Sequence, residues 1–214
     1  MDDSLKSSIV RGAIGLGLFA MVTAGLIAVT QVSTADAIAA AQARAEARSL
    51  HELIEEGSTT VPLLEAAFEV PADDALGLRK AGKGYRAIRS GKVFAVILPF
   101  TAREGYNGDI HGIAAIDRVG TLLGVRIIAH KETPGLGDQI EIRKSPWVRQ
   151  FEGKSLRDPA ADLWKVRKDG GAFDQMTGAT ITPRAVVGQV ARVLTWFEAH
   201  RRELLTLPEQ EPAS

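Results

Sequence analysis

A short segment near the carboxyl end carries the residues most suited to chemistry. Residues 174–183 place two hydroxyls, those of Thr177 and Thr180, and a flexible glycine just ahead of a predicted helix that opens with Thr182 and Pro183. The first backbone N–H groups of a helix lack partners within it, and the helix dipole is positive there, so a phosphate is favoured at that end. From the residues alone, an ordinary helix cap by Thr182, followed by Pro183, explains the same pattern.

Composition excludes several other kinds of site. The chain has no cysteine, which excludes disulfides, thiolate-bound zinc, iron–sulfur clusters and cysteine-linked flavin or haem. Lys plus Arg and Asp plus Glu both total 26, so no basic excess favours nucleic acid. The histidines lack the spacing of a metal site, and neither a serine nucleophile elbow nor a dinucleotide-binding fingerprint is present. We therefore predict no catalytic residue, no metal and no nucleic-acid partner.

One glycine-rich segment comes close to a nucleotide-binding loop. Residues 77–84 match the glycine and lysine spacing of a P-loop, but Gly84 stands where Ser or Thr would coordinate magnesium. No predicted strand leads into this segment. We interpret it as a basic turn ahead of the first strand.

The amino-terminal part is predicted to cross a membrane once. Residues 12–32 contain no charged side chain and, as a helix, are long enough to span about 30 Å of hydrocarbon. Lys6 and Arg11 precede this run and Asp36 is the first charge after it, which predicts residues 1–11 in the cytoplasm and the rest outside. The alternative is a cleaved signal peptide, because small residues follow the run. The length of the run favours a retained anchor.

Beyond the span, the patterns predict an α+β domain with an antiparallel sheet flanked by helices. Residues 33–57 favour a helical stalk, residues 58–207 the domain, and residues 208–214 a disordered tail. The predicted elements of the domain are a short helix over 63–68, strands over 92–98, 112–117, 122–129 and 163–166, and a long helix opened by Thr182 and Pro183.

Several motifs together resemble a known family. Residues 174–180 read Asp-x-x-Thr-Gly-Ala-Thr, which looks like a flavin-attachment signature. Gly-Tyr-Asn-Gly at 105–108, Glu-Thr-Pro-Gly-Leu-Gly-Asp at 132–138 and Ser-Pro-Trp at 145–147 occur in the same order as in that family. The sequence resembles the G subunit of the Rnf electron-transport complex, whose FMN-binding domain is shared with the C subunit of the sodium-pumping NADH:quinone reductase. With the single span, the likeness covers nearly the whole chain.

The resemblance implies a covalent cofactor, FMN. In that family a flavin transferase takes FMN from FAD and esterifies its phosphate to the last threonine of the signature, here Thr180. The transferase would recognise the other residues of the signature, or these residues would line the phosphate: Asp174, Thr177, Gly178 and Ala179. The loop over 132–137 would border the flavin, with a glycine letting backbone approach the ring closely. Its candidate contacts are Glu132, Thr133, Leu136 and Gly137.

Other residues near these motifs are further candidates for flavin contact. Lys144 and Trp147 could cover the flavin face or the phosphate, although a tryptophan at helical spacing from other apolar residues is also typical of a core. Tyr106 has the same two alternatives, flavin contact or packing in the core. His130 could hydrogen-bond the ring, and a solvent-facing strand end is its alternative.

By the same resemblance, the chain would relay electrons in a membrane complex that couples electron flow between ferredoxin and NAD to ion translocation. It would lie in the bacterial inner membrane with its flavin domain in the periplasm. Its partners would be the other subunits and, during maturation, the flavin transferase. The alternatives are the C-type subunit of the sodium-pumping reductase and an anchored flavin-binding sensor that relays no electrons.

Overall fold

Helix α1 (Asp2–Leu53) forms the amino-terminal part of the chain. The computed structural model describes residues 2–55 and 57–207, so the tail predicted over 208–214 lies outside the described residues. The chain divides into two units, Met1–Glu46 and Ala47–Ser214, and α1 ends within the second. Its stretch Arg11–Ala35 has mean hydropathy 2.1 and exposed side chains. By length and composition this stretch can cross a membrane, as predicted.

The second unit is built on an antiparallel sheet whose five strands pair in chain order. β-Branched and apolar residues dominate the last three strands, as a half-buried sheet favours. The predicted antiparallel sheet is confirmed. Its strands are β1 (Ala67–Val70), β2 (Gly82–Arg89), β3 (Lys92–Gly105), β4 (Gly108–Asp117) and β5 (Leu122–Ala129).

The first two strands were missed by the sequence patterns. The short helix expected over 63–68 is wrong, because this segment is a turn that leads into β1. The glycine-rich segment 77–84, interpreted as a turn, ends in the first residues of β2. A Cβ on Gly84 would lie 2.6 Å from the ring of Phe68 on β1. Gly84 therefore lets β1 and β2 pair closely. The glycine, interpreted from the sequence as part of a turn, is needed here for strand packing.

Turns and short 3₁₀ helices connect β5 to the last helix. The strand expected over 163–166 is wrong, because Val166 makes only an isolated bridge with Phe173 and the residues before it form a 3₁₀ turn. The described 3₁₀ helices are Gly137–Ile140, Pro146–Phe151, Ala161–Leu163 and Arg167–Asp169.

Four aromatic rings pack together within this connection. The ring centroid of Phe151, which is fully buried, lies 5.5 Å from that of Trp147, 6.2 Å from that of Trp164 and 5.1 Å from that of Phe173. The indole N–H of Trp147 donates to the backbone carbonyl of Asp174 at 2.6 Å. A buried tryptophan needs such a partner for its N–H group. The cluster thereby holds the start of the threonine-rich segment.

Helix α2 (Ile181–Leu205) packs against one face of the sheet. Successive residues of a strand point to opposite faces, and β3 divides its apolar residues accordingly. Val96, Leu98 and Phe100 join the larger core, which includes the buried valines of α2. Ala95 and Ile97 join a smaller core on the opposite face.

The last turns of α1, which belong to the second unit, complete the smaller core. Leu50 and Leu53 are buried there with residues of the sheet. Nε of Arg126, a buried side chain on β5, donates to the Glu52 carboxylate at 2.9 Å. Such a pair is required because a buried guanidinium is costly without a partner. Helices therefore flank both faces of the sheet, and the predicted α+β class is confirmed.

Candidate functional site

A cavity of about 390 Å³ opens where three segments of the second unit meet. These segments are the β3–β4 hairpin, the loop after β5 and the start of α2. Pockets of roughly 300–1,000 Å³ are the usual size for small molecules and cofactors. The structure thus brings the predicted loop and the predicted threonine segment together. The lining residues are Tyr106, Glu132, Thr133, Leu136, Gly137, Gly178, Ala179, Thr180, Ile181 and Thr182.

A larger concave region lies elsewhere, beside the carboxyl end of α2. It measures about 1470 Å³ but is an open groove, lined by Arg86, Arg118, Arg201 and other side chains that are mostly exposed. Ligand sites are generally enclosed enough to bury most of the ligand. The smaller cavity, which has buried polar side chains in its wall, is therefore the candidate site.

Thr180 is the N-cap residue of α2 and lines this cavity. Its backbone has φ −102° and ψ −32°, and its hydroxyl makes no hydrogen bond to the first turn of the helix. The side-chain oxygen is therefore not used for capping. The N–H groups of the first turn and the positive end of the helix dipole lie at the same place, which favours a phosphate there.

Thr182 does not cap the helix, so the alternative interpretation of the segment as an ordinary cap by Thr182 is wrong. Because α2 already begins at Ile181, Thr182 lies in its first turn, where it is only 1% exposed. Its hydroxyl donates to Oε2 of the buried Glu132, whose Oε1 accepts the backbone N–H of Asn107 at 3.0 Å. Of the two threonines at the helix start, Thr180 therefore has the more accessible hydroxyl.

Two glycines allow the cavity walls to approach each other. Gly178 has φ +81°, and a Cβ there would lie 2.9 Å from a methyl carbon of Leu136 across the cavity. A Cβ on Gly137 would lie 2.8 Å from Oγ1 of Thr182 and 2.9 Å from Oε2 of Glu132. Both positions therefore need glycine, one also for its backbone conformation. The glycines therefore let the loop after β5 pack closely against the segment that leads into α2.

A chain of polar contacts holds the loop after β5. The backbone N–H of Glu132 donates to Nδ1 of His130, so Nε2 of the neutral ring carries the proton and donates to Glu141 at 3.0 Å. Nζ of Lys144 lies 2.7 Å from Asp138 and 3.3 Å from Glu141. The Lys144 hydrogen bond lowers the pKa of Asp138, and Asp138 in turn raises the pKa of Lys144. Burial works to raise the pKa of Glu141, but hydrogen bonds from His130 and Lys144 leave it below its ordinary value.

The remaining predicted residues lie outside the cavity lining. Trp147 is buried in the aromatic cluster, and Lys144 is paired with the two acidic side chains just described. Asp174 is exposed and lies 2.9 Å from Nε of Arg167, and Thr177 is also exposed. These four residues therefore do not line the cavity.

Two contributors to the site were not predicted. Asn107, which donates its backbone N–H to Glu132, lies within the Gly-Tyr-Asn-Gly motif, so that motif was the available signal. Ile181 lines the cavity with an exposed apolar side chain. Neither its residue type nor its spacing in the sequence could have identified it as part of the site. His130, considered for a ring contact, supports the loop from outside the cavity lining instead.

Replacing Lys144 with Met should raise the pKa of Asp138 and make the second unit less stable in acid. A carboxyl whose folded-state pKa is depressed contributes stability above its unfolded pKa, and that stability is lost as the pH falls through the folded pKa. Without Lys144 that loss should begin at higher pH. An NMR titration of the Asp138 carboxyl and acid unfolding followed by circular dichroism measure both effects. The exposed Lys131→Met is the control, and equal acid midpoints for the two variants would contradict the prediction.

Comparisons with known proteins agree with the geometry. Residues 105–195 match the model of the FMN-binding domain, and this range includes every residue that lines the cavity. Residues 1–53 match the RnfG N-terminal region, a range that coincides with the end of α1. The fold and the site therefore define an FMN-binding domain preceded by a helix that can span a membrane.

Curated relatives extend this match over almost the whole chain. A protein of Pseudomonas aeruginosa, named as the G subunit of an ion-translocating oxidoreductase complex, is 49% identical over 98% of both chains. Proteins of the same name from Vibrio vulnificus and Shewanella loihica are each 43% identical over 95% of this chain and 96% of theirs. The chain belongs to the family of G subunits of ion-translocating oxidoreductase complexes.

Proposed function

We propose that this chain relays electrons in a membrane-bound ion-translocating complex through FMN esterified to Thr180. The observation that carries the proposal is the position of Thr180. It lies in the wall of a cavity inside the matched FMN-binding domain, at a helix start that favours phosphate, with a hydroxyl not used for capping. The match to the N-terminal region and the names of the relatives favour a G subunit over the C-type alternative.

The attachment is a phosphoryl transfer that needs only one nucleophile from this chain. Oγ1 of Thr180 forms a bond to the FMN phosphorus of FAD, the pyrophosphate bond breaks, AMP leaves, and the hydroxyl proton is released. The hydroxyl of Thr182 is buried and bound to Glu132, which supports Thr180 rather than Thr182 as the acceptor. Asp174 and Thr177 are exposed beside the cavity, where the flavin transferase would read them.

The remaining predicted residues would hold the cofactor once it is attached. Gly178 and Ala179 would lie beside the phosphate, and the loop containing Glu132, Thr133, Leu136 and Gly137 would border the ring. FMN supplies the redox chemistry by accepting and passing on electrons, so no general base is required of the protein. Lys144 and Trp147 would act from outside, through the loop and the Asp174 carbonyl.

The proposed location is the bacterial inner membrane, with the second unit in the periplasm. Arg11–Ala35 is the stretch of α1 that can span the bilayer. Lys6 and Arg11 precede the apolar residues, and positive charges favour the cytoplasmic side. A covalent bond is useful in the periplasm because a dissociated flavin would be lost to the surroundings.

Mass spectrometry of the tryptic peptide 169–184 tests the proposal. Cleavage after Lys168 and Arg184 gives one peptide that contains Thr177, Thr180 and Thr182. For protein produced with a flavin transferase, we expect an added mass equal to FMN minus water, and fragment ions that place it on Thr180. Protein produced without the transferase is the control. An unmodified peptide after co-production, or a modification placed on another threonine, would refute the attachment.

A further inference from the structure

Glu132 is the side chain at which the three segments of the cavity wall meet. It is only 4% exposed, and it both lines the cavity and contacts the other two segments. Its Oε1 accepts the N–H of Asn107 from the β3–β4 hairpin, and its Oε2 accepts the hydroxyl of Thr182 from α2. The backbone is closely packed around it, since a Cβ on Gly105 or Gly137 would lie 3.0 or 2.9 Å from its carboxylate oxygens.

The donors around Glu132 are neutral. One is a backbone amide and the other a hydroxyl, and no ion pair found in residues 2–55 and 57–207 includes this carboxylate. His130 accepts the backbone N–H of Glu132 and directs its other nitrogen to Glu141, so it does not neutralise the side chain. Each carboxylate oxygen accepts one of these two hydrogen bonds.

A buried carboxylate without a cation is a costly way to join two segments. A glutamine could accept the same N–H group with its carbonyl and donate to the threonine with its amide, without the cost of a buried charge. The charge therefore calls for a role beyond the hydrogen bonds.

We infer that Glu132 is a positioning residue that joins the cavity segments and whose negative charge lowers the reduction potential of the bound flavin. The inference rests on the proposed function. One-electron reduction, by whichever centre of the complex donates the electron, adds one negative charge to the ring. Coulomb repulsion from a fixed anion in the cavity wall disfavours that addition. The hydrogen bonds set the shape of the site, and the charge sets its electron affinity.

The decisive comparison is between Glu132→Gln and Glu132→Asp in the full-length, flavinylated protein. Glu132→Gln keeps both hydrogen bonds and removes the charge. At a fixed potential near the wild-type midpoint, it should raise the ratio of reduced to oxidised flavin about tenfold, which is about 59 mV for a one-electron couple. Glu132→Asp keeps the charge. The molecules of this variant that carry flavin should have nearly the wild-type midpoint potential. Glu69→Gln, on the exposed side of β1, is the control for net charge.

Glu132→Ala tests the joining role. It leaves the Asn107 amide and the Thr182 hydroxyl without their acceptor, so flavin loading should fall at least about tenfold. Loading at the wild-type level would overturn this role. The midpoint potential of the flavin is measured spectroscopically on the flavinylated molecules. Equal potentials for the wild type and Glu132→Gln would overturn the role of the charge. Failure of the proposed function itself looks different, because the wild-type protein would then carry no covalent flavin to titrate.

Discussion

Replacing Thr180 with Val should remove essentially all covalently bound FMN from the protein. The phosphoester cannot form without an oxygen nucleophile at this position, so in-gel flavin fluorescence after denaturation should fall by about a hundredfold or more. The fold should be unaffected. The Thr180 hydroxyl makes no capping bond and valine has nearly the same shape, so unfolding free energies of the unflavinylated proteins should agree within about 0.5 kcal/mol.

Two control variants separate attachment from folding for this threonine. Thr180→Ser keeps the hydroxyl at the same backbone position and should retain fluorescence. Thr182→Val removes a hydroxyl that is bound to Glu132, so it should weaken the site without removing the acceptor. The proteins are produced with the transferase and compared by fluorescence per mole of protein. Wild-type fluorescence in Thr180→Val would show that the flavin is attached elsewhere.

Replacing Phe151 with Ala should reduce the unfolding free energy of the second unit by about 4 kcal/mol. Phe151 is fully buried and packs against Trp147, Trp164 and Phe173, so truncation removes apolar burial and leaves a cavity. For a domain of this size, the melting temperature should fall by roughly 8–16 °C. Flavin loading should fall as well, because Trp147 would lose the ring that holds it against the Asp174 carbonyl.

The comparison variant for the aromatic cluster is Leu64→Ala. Leu64 is 52% exposed, so its truncation should change stability by no more than about 0.5 kcal/mol. Thermal unfolding of unflavinylated protein, followed by circular dichroism, measures both variants. A Phe151→Ala protein as stable as Leu64→Ala would show that the aromatic cluster does not support the fold.

The fold was predictable where burial imposes a clear residue pattern. The β-branched runs of β3, β4 and β5 and the apolar run of α1 each indicate their structure directly. The first two strands were not predictable in this way. β2 opens with Gly82, Lys83 and Gly84, residues typical of turns, and it is a strand because Gly84 accommodates Phe68 from the neighbouring strand. That requirement lies in the tertiary packing rather than in the local sequence.

The site was predictable as a set of motifs but not as a geometry. The resemblance named Thr180 and the loop over 132–137, and the structure places them around one cavity. The hydrogen bond between Glu132 and Thr182 joins residues 50 positions apart. Local patterns favoured Thr182 as a helix cap because Thr followed by Pro is a common helix start. Only the position of the loop after β5 against the start of α2 shows that its hydroxyl is bound elsewhere.

The pairing of each strand with its neighbour in sequence has a consequence for biogenesis. On the proposed export of the second unit, β1 to β5 emerge before α2, and each strand can pair with its neighbour in sequence without waiting for a later segment. The last helix, whose buried valines complete the larger core, follows with Thr180 at its leading end. The threonine thus reaches its final setting only when the last segment docks.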